Sequence, residues 1–394
     1  MKQDTRIVTL GRKDARKLRV VNPPVVHAST VFSPTIAARR AAQARRARRE
    51  PGFYYGRSGS PTARALEEAL AGLEGGHDCL TFPSGLAAIA AALLAYLSAG
   101  DHLLMTDGVY QPVRKLCDRL LPRLGVETTY YPPRLGAGVA DLIRPETRVV
   151  YVESPSSQTF EVQDIPAIAA AAHAGGAPAG GALVLADNTW ASPYFCRPLD
   201  LGADVSIQAA TKYVGGHSDL MLGAATATEA AWAPLRDAAG HLGQCAGPDD
   251  LYLAQRGLRS LAVRMRRHQE TGLALAQWLE RRSEIARVLH PGLPDDPGHA
   301  LWRRDFSGAS GLFSIVFEPC SEAAFAAFVD GLAHFGIGAS WGGFESLALP
   351  AHPKRAAEPW RAEGPLLRLH AGLEDPADLI ADLEAGFERM RAAG

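Results

Sequence analysis

The sequence predicts an α/β protein: a large, open, doubly wound and mostly parallel sheet, then a smaller C-terminal α+β domain, with an extended arm at the N-terminus. Two patterns and one count carry that expectation. From Ser60 to about residue 230, short β-branched or apolar runs alternate with helical stretches, as strand–helix–strand units do. Those runs are apolar without alternating, so both faces of each strand are buried, which suits a parallel sheet covered by helices. With 394 residues and 47% hydrophobic side chains, the chain can bury a large core and form more than one domain.

Residues 1–59 are polar and carry Pro23, Pro24, Pro34 and Pro51. They also hold an arginine run between Arg39 and Arg49, where alanine and arginine both favour helix. They read as an extended arm with one basic helix. Residues 60–250 hold the regular alternation. CLTF, HLLMTD, ETTYY, RVVYVES, ALVLAD, DVSIQAA and MLGAATAT read as strands, and SGLAAIAAALLAYL, QPVRKLCDRLLPRLG and IPAIAAAAHA as helices. Residues 251–394 have another texture: a long polar helix from Leu251 to Arg282, then Pro- and Gly-rich loops around His290 to His299. The strands GLFSIVFE and LLRLHAG, the helix EAAFAAFVDGLAHF, the loop GIGASWGGFESL and a closing helix complete that part. Ligands of doubly wound sheets bind at the carboxyl ends of strands, so the residues just past each strand matter most.

Composition excludes several classes. With 41 basic and 42 acidic side chains, nothing in the global charge favours a nucleic-acid or membrane partner. The longest apolar run, Leu86 to Leu97, is short of the roughly 18 residues a membrane-spanning helix needs. The opening MKQDTRIVTL carries Asp4 and no long apolar stretch, so no secretory signal is expected. Five scattered cysteines without zinc-ligand spacing fit a reducing cytoplasm and no metal site. The glycine-rich AGGAPAGGA (174–182) lacks dinucleotide-loop spacing, GHSD (216–219) reads as loop hydrogen bonding, and the arginine run as a solvated helix face.

Only six of the 41 basic residues are lysine, so each lysine's position is informative. Most lysines are surface residues. Lys212 instead ends the apolar stretch ADVSIQAAT, with no acid nearer than Asp204 or Asp219. Desolvation lowers the pKa of such an amine and makes it a nucleophile able to condense with an aldehyde. Asp187 ends the strand before it, in ALVLADNTW; it is either a turn or cap residue, or a paired carboxylate at a buried strand tip. An acid facing a pyridine nitrogen and a lysine facing an aldehyde are the two ends of a pyridoxal phosphate site. In CLTFPSGLAAIAAALL a strand turns through Gly85 into a helix with no acid in its first turns, a setting that accepts a dianion but is common among strand–helix turns.

Seven segments together resemble the pyridoxal-phosphate enzymes of cysteine and methionine metabolism, whose fold is that of type I aminotransferases. They are YYGRSGSPT (54–62), FPSGLAA (82–88), ESP (153–155), ADNTWASPYF (186–195), QAATKYVGGHSD (208–219), SWGGFESL (340–347) and LLRLHAGLED (366–375). QAATKYVGGHSD and SWGGFESL most resemble the bacterial members that cleave cystathionine by β-elimination.

The resemblance implies roles. Lys212 holds the cofactor and then moves the substrate's Cα proton, Asp187 keeps the pyridine nitrogen protonated, and Tyr110 stacks on the ring. Gly85 and Leu86 offer amides to the phosphate, and Thr211 its hydroxyl. Tyr55 and Arg57 reach the phosphate of a neighbouring subunit, so the site is incomplete in a monomer, and the resemblance implies a homotetramer built as a dimer of dimers. Lys212, Tyr110 and Tyr55 are thereby the candidate catalytic residues. Arg368 forks onto the substrate carboxylate, or else forms a structural ion pair. Ser340 and Trp341 line the substrate cleft, although such a Trp also fits a core position. Two positions depart from the pattern: Ala209, where many members carry serine, and Ser58, where comparable β-lyases carry a second arginine. The implied reaction releases homocysteine, pyruvate and ammonia from the thioether L-cystathionine, with cystine or cysteine conjugates as further substrates. Cystathionine or methionine γ-lyase and γ-synthase are the alternatives within the family. A nucleic-acid-binding module using the arm's arginines is the alternative outside it.

Overall fold

The computed structural model describes residues 1–50, 52–176 and 181–394. Pro51 and residues 177–180 of the glycine-rich 174–182 stretch therefore lie outside the described residues. The large sheet contains β1 (Asp78–Phe82), β2 (His102–Thr106), β3 (Glu127–Tyr131), β4 (Thr147–Glu153), β5 (Leu183–Asp187), β6 (Val205–Gln208) and β7 (Gly223–Ala227). Their spatial order is β1-β7-β6-β5-β4-β2-β3. β2 to β6 run parallel, and β7 is antiparallel to both its neighbours. This is the α/β class that the unalternating runs predict.

Each strand feeds both faces of this sheet. Val149, Tyr151 and Leu185 pack under the helix Gly85–Tyr96, while Val150, Val152 and Val184 pack under the helix Ile165–Ala174. The helix Pro61–Glu74 shows why the boundaries fall where they do. The Ser60 hydroxyl caps Ala63 N–H, Pro61 pre-sets the first turn, and Gly75 closes the helix at φ +77°. The helix Gln111–Arg119 stops earlier than expected because Pro122 admits only a tight turn after it.

The second sheet contains β8 (Ile285–Leu289), β9 (Leu312–Phe317), β10 (Phe335–Gly336), β11 (Ser346–Ala351) and β12 (Leu366–His370), in the order β10-β11-β12-β9-β8. Of these five strands, the sequence pattern predicts only β9 and β12. In β11, Pro350 reads as a breaker, yet β10 pairs only as far as Leu347, so Pro350 faces a free edge where its missing N–H costs nothing. The long helix expected from Leu251 is two, Pro248–Leu258 and Leu261–Leu279, with an unpredicted short helix at His299–Asp305. Just before the break, in the last turn of the first helix, stands Gly257, whose carbonyl accepts from Arg264 Nη2 at 2.8 Å. A Cβ at Gly257 would stand 2.1 Å from the Gly215 carbonyl, so this crossing demands glycine. The helix from Glu322 ends at Asp330, where Gly331 follows.

The arm corrects another expectation. Besides the basic helix Ile36–Ala47 it forms helices at Gln3–Thr9 and Lys13–Lys17, burying Ile7 and Ala15 completely. Ile7 packs into the same core as Leu66 and Leu70, a burial of about 2 kcal/mol that local propensity cannot reveal. Among the described residues no helix is long and apolar enough to cross a membrane.

Candidate active site

A cavity of about 320 Å³ opens at the carboxyl ends of the parallel strands and brings together Gly85, Leu86, Tyr110, Asp187, Lys212 and Arg368. Thr211 and Trp341 also line it. Tyr55 and Arg57 do not: within its own chain the Arg57 guanidinium donates to the Gly240 carbonyl at 3.3 Å, and Tyr55 is largely exposed.

Asp187 is the last residue of β5 and pairs in register with Glu153, the last of β4, so two carboxylates lie side by side at the strand tips. Thr189 bonds Asp187 Oδ1 through its amide at 2.9 Å and its hydroxyl at 2.5 Å. The Thr189 hydroxyl in turn accepts from Ala209 N–H at 2.9 Å, tying the acid to the turn that precedes Lys212. Burial pushes the Asp187 carboxyl up, and the Thr189 bonds, Tyr151 and Lys212 pull it back. Glu153 is pushed further, well above the usual carboxylate range, first by burial and then by the Asp187 charge. Its Oε2 accepts the Tyr110 amide at 2.8 Å and so anchors the start of the helix bearing Tyr110. Burial also raises the Tyr110 phenol, Glu153 adds to this, and Arg368 opposes it.

Lys212 lies on the loop after β6, partly open to the cavity. Its amine donates to Ser340 Oγ at 2.5 Å and stands 5.3 Å from the centre of the Trp341 ring. Burial, then Arg368, lowers its pKa to about 8, and Asp187 resists that shift. The sequence-derived expectation of a desolvated amine is thus met in direction. Arg368, in β12, donates to the Ser340 carbonyl at 3.0 Å, and burial lowers its pKa to about 10. It faces the cavity without an acidic partner among the described ion pairs.

At the opposite end, Ser84 caps the helix Gly85–Tyr96 through Ala87 N–H, which leaves the Gly85 and Leu86 amides as the helix's free donors. A Cβ on Gly85 would meet that of Ala209 at 2.6 Å, so the helix start and the Lys212 turn touch through their smallest residues. Thr211 is placed beside them, but its hydroxyl donates to the Leu222 carbonyl at 3.1 Å and accepts Leu222 N–H at 2.9 Å. Its donor is already engaged. His217 and Ser218 of GHSD form loop hydrogen bonds to Gly215 O and Glu345.

Sequence reasoning gave no role to Glu153 or Thr189, although both lie inside quoted segments; the adjacency of β4 and β5 is what reveals Glu153. Ser84 carried a usable signal, a serine just before an apolar helix.

The arrangement can hold an anion at one end, bind an aldehyde in the middle and present a carboxylate at the other end. A cystathionine beta-lyase of Escherichia coli is 43% identical over 99% of this chain and 99% of its own length. An L-alanine/L-glutamate racemase of Wolbachia pipientis is 39% identical over 99% of this chain and 98% of its own. Among solved structures, cystathionine gamma synthase from Xanthomonas oryzae in complex with cystathionine superposes with a TM-score of 0.89 at 34% identity, covering both chains completely. The family described as Cys/Met metabolism PLP-dependent enzymes matches residues 4–388, and the chain belongs to that family of pyridoxal-phosphate-dependent enzymes.

Proposed function

We propose that this chain is a carbon–sulfur lyase that uses pyridoxal phosphate to split L-cystathionine, with one water, into homocysteine, pyruvate and ammonia. The observation that carries the reading is the Lys212 amine and the Asp187 carboxylate opening onto one cavity with the free helix amides of Gly85 and Leu86. That donor set fits the cofactor's three parts: an amine for the aldehyde, a carboxylate for the ring nitrogen, and a helix N-terminus for the phosphate. The space that glycine leaves at position 85 lets backbone donors approach closely. Bound there, pyridoxal phosphate supplies an aldehyde for amines and a ring that takes up electrons when the substrate's Cα–H bond breaks.

The chain's own residues do the rest. Asp187, whose carboxyl the Thr189 bonds and Lys212 pull back toward its ionised form, would hold a proton on the cofactor's ring nitrogen. Tyr110, fixed through its amide to Glu153, would pack against the cofactor's ring. In its deprotonated form, which its lowered pKa of about 8 favours relative to an ordinary lysine, the Lys212 amine would take the Cα proton, with the Ser340 hydroxyl accepting one of its N–H bonds and so orienting it. Arg368 clamps the substrate carboxylate bidentately. Trp341 borders the room for the thioether arm beyond sulfur. Tyr55 and Arg57, remote from their own cavity, complete the phosphate end of a neighbouring subunit in a dimer of dimers.

The racemase relative gives a second reading specific support, since proton removal and return at Cα need the same lysine. Product analysis with L-cystathionine and added pyridoxal phosphate separates the readings. Pyruvate and homocysteine in equal amounts support the lyase; 2-oxobutyrate points to γ-elimination; D-amino acids without keto acid point to racemisation.

A further inference from the structure

We infer that His370 is a positioning residue that holds the Ser340–Gly343 turn against the Lys212 backbone and so keeps Ser340 and Trp341 on the Lys212 amine. The inference rests on the reading of Lys212 as the reactive amine. Arg368 and His370 are two apart on β12 and therefore share one face of the sheet. Arg368 grips the near end of the turn through the Ser340 carbonyl, at 3.0 Å. His370 grips the far end: its Nε2 lies 3.1 Å from the Gly342 amide and 3.2 Å from the Gly343 carbonyl.

The turn between these two grips is strained and tightly seated. Ser340 has φ +85°, costly for a residue with a side chain, and Gly342 has φ +85° as well. A Cβ at Gly342 would stand 3.0 Å from both Lys212 C and Tyr213 N, so the turn rests on the lysine's own main chain. Strain of this kind persists only where the surroundings over-determine it. Arg368 and His370 are those surroundings, and the turn they hold carries the Ser340 hydroxyl that meets the Lys212 amine.

The ring is suited to the task. It is 1% exposed and packs between the rings of Tyr213, at 5.9 Å, and His268, at 5.2 Å. Burial, with His268, Arg368 and Lys212 nearby, holds it neutral, and Gly343 O opposes this. A neutral imidazole can use Nε2 to accept from Gly342 or to donate to Gly343, and either arrangement fixes the turn. Nδ1 has no partner among the described residues, so there the grip works through Nε2 alone.

The groups facing the Lys212 amine are Arg368 and Asp187, with Tyr110 and Glu153 lining the same cavity. The test follows acetic anhydride labelling of Lys212 against pH by mass spectrometry in the full-length chain, together with the dissociation constant for pyridoxal phosphate. In His370→Phe the loosened turn admits water, and the labelling midpoint rises by about one pH unit toward the ordinary lysine range. Pyridoxal phosphate binding weakens about tenfold, roughly what one hydrogen-bonded grip contributes. His370→Gln places an amide where Nε2 was and restores both readouts to within about twofold of wild type. His370→Asn places its amide nearer the Nδ1 position and restores neither. Should the Phe variant fail to fold, the Gln–Asn difference still decides. A purely structural histidine would lower the melting temperature of all three variants and move no midpoint. A depressed wild-type midpoint that none of the variants shifts, or an Asn variant equal to Gln, overturns the inference alone. A wild-type midpoint in the ordinary lysine range overturns the reading of Lys212, and this inference with it.

Discussion

The two sheets deliver their chemistry to the cavity by different means. From the seven-stranded sheet come Glu153 and Asp187, paired at the ends of adjacent parallel strands, and Lys212, four residues past β6. Backbone topology alone puts these groups at the same edge. From the five-stranded sheet come Arg368, in mid-strand, and Ser340 and Trp341, on a turn with positive φ. Side-chain grips put those in place. On the proposed function, the difference teaches that the first group would define which chemistry is possible, while the second would tune which substrate meets it and how the lysine is held.

Substitutions can break or sharpen that contrast. The largest effect is expected for Lys212→Ala: pyruvate release from cystathionine falls by at least about 10³-fold, with no covalent retention of pyridoxal phosphate. Asp187→Ala, on the same sheet, should lower turnover by about 10²- to 10³-fold and shift the visible absorbance of the loaded protein. On the other sheet Arg368→Lys keeps the charge but loses the fork, so KM rises about 10- to 100-fold with a smaller change in kcat. If Arg368→Lys instead matched Lys212→Ala in turnover, the division of labour between the sheets would be wrong. Trp341→Leu gives the smallest effect, a change below about tenfold in the preference for cystathionine over cystine, read as a ratio of kcat/KM values.

The contrast extends to pH. The large-sheet side buries Glu67 and Glu74, each pushed up to about 7 by burial. The folded chain keeps protons that the unfolded chain has lost, so this stability is full below pH 4.5 and falls as pH rises through 7. The small-sheet side buries His268 and His290, both lowered to about 4 by burial. Here the unfolded chain takes up protons first, so stability is full above pH 6.5 and falls as pH drops through 4. Melting temperature against pH should therefore decline on both sides. Glu74→Gln, which keeps the shape that accepts from Gln208, should flatten only the alkaline decline, and His290→Gln only the acid one.

How much was legible in the sequence follows the same division. Most strands of the large sheet stand out because burial on both faces leaves apolar runs, while β3, ETTYY with an exposed Glu127, stands out only through its threonines and tyrosines. Their order does not, because pairing is set by crossover packing that no local pattern records. β8 was hidden by its exposed Ala286 and Arg287, β11 by Pro350, and β10 by having only two residues. Lys212 and Asp187 were legible as a rare lysine and an acid at strand ends. Glu153 was not, because its meaning comes from lying beside Asp187. His370 reads locally as one more residue of a buried strand, and only the turn folded over it gives it a partner. The helices at Gln3–Thr9 and Lys13–Lys17 were missed because their stability comes from docking on the main body.

The proposed function depends first on the Lys212 amine being the one that binds the aldehyde of pyridoxal phosphate. Incubating the full-length chain with pyridoxal phosphate, reducing with borohydride and mapping the modified peptide by mass spectrometry tests it directly. The account predicts near-stoichiometric modification of Lys212, and none in the Asp187-intact Lys212→Ala variant. Modification spread over Lys115 and the arm lysines, with Lys212 unmodified, would contradict it.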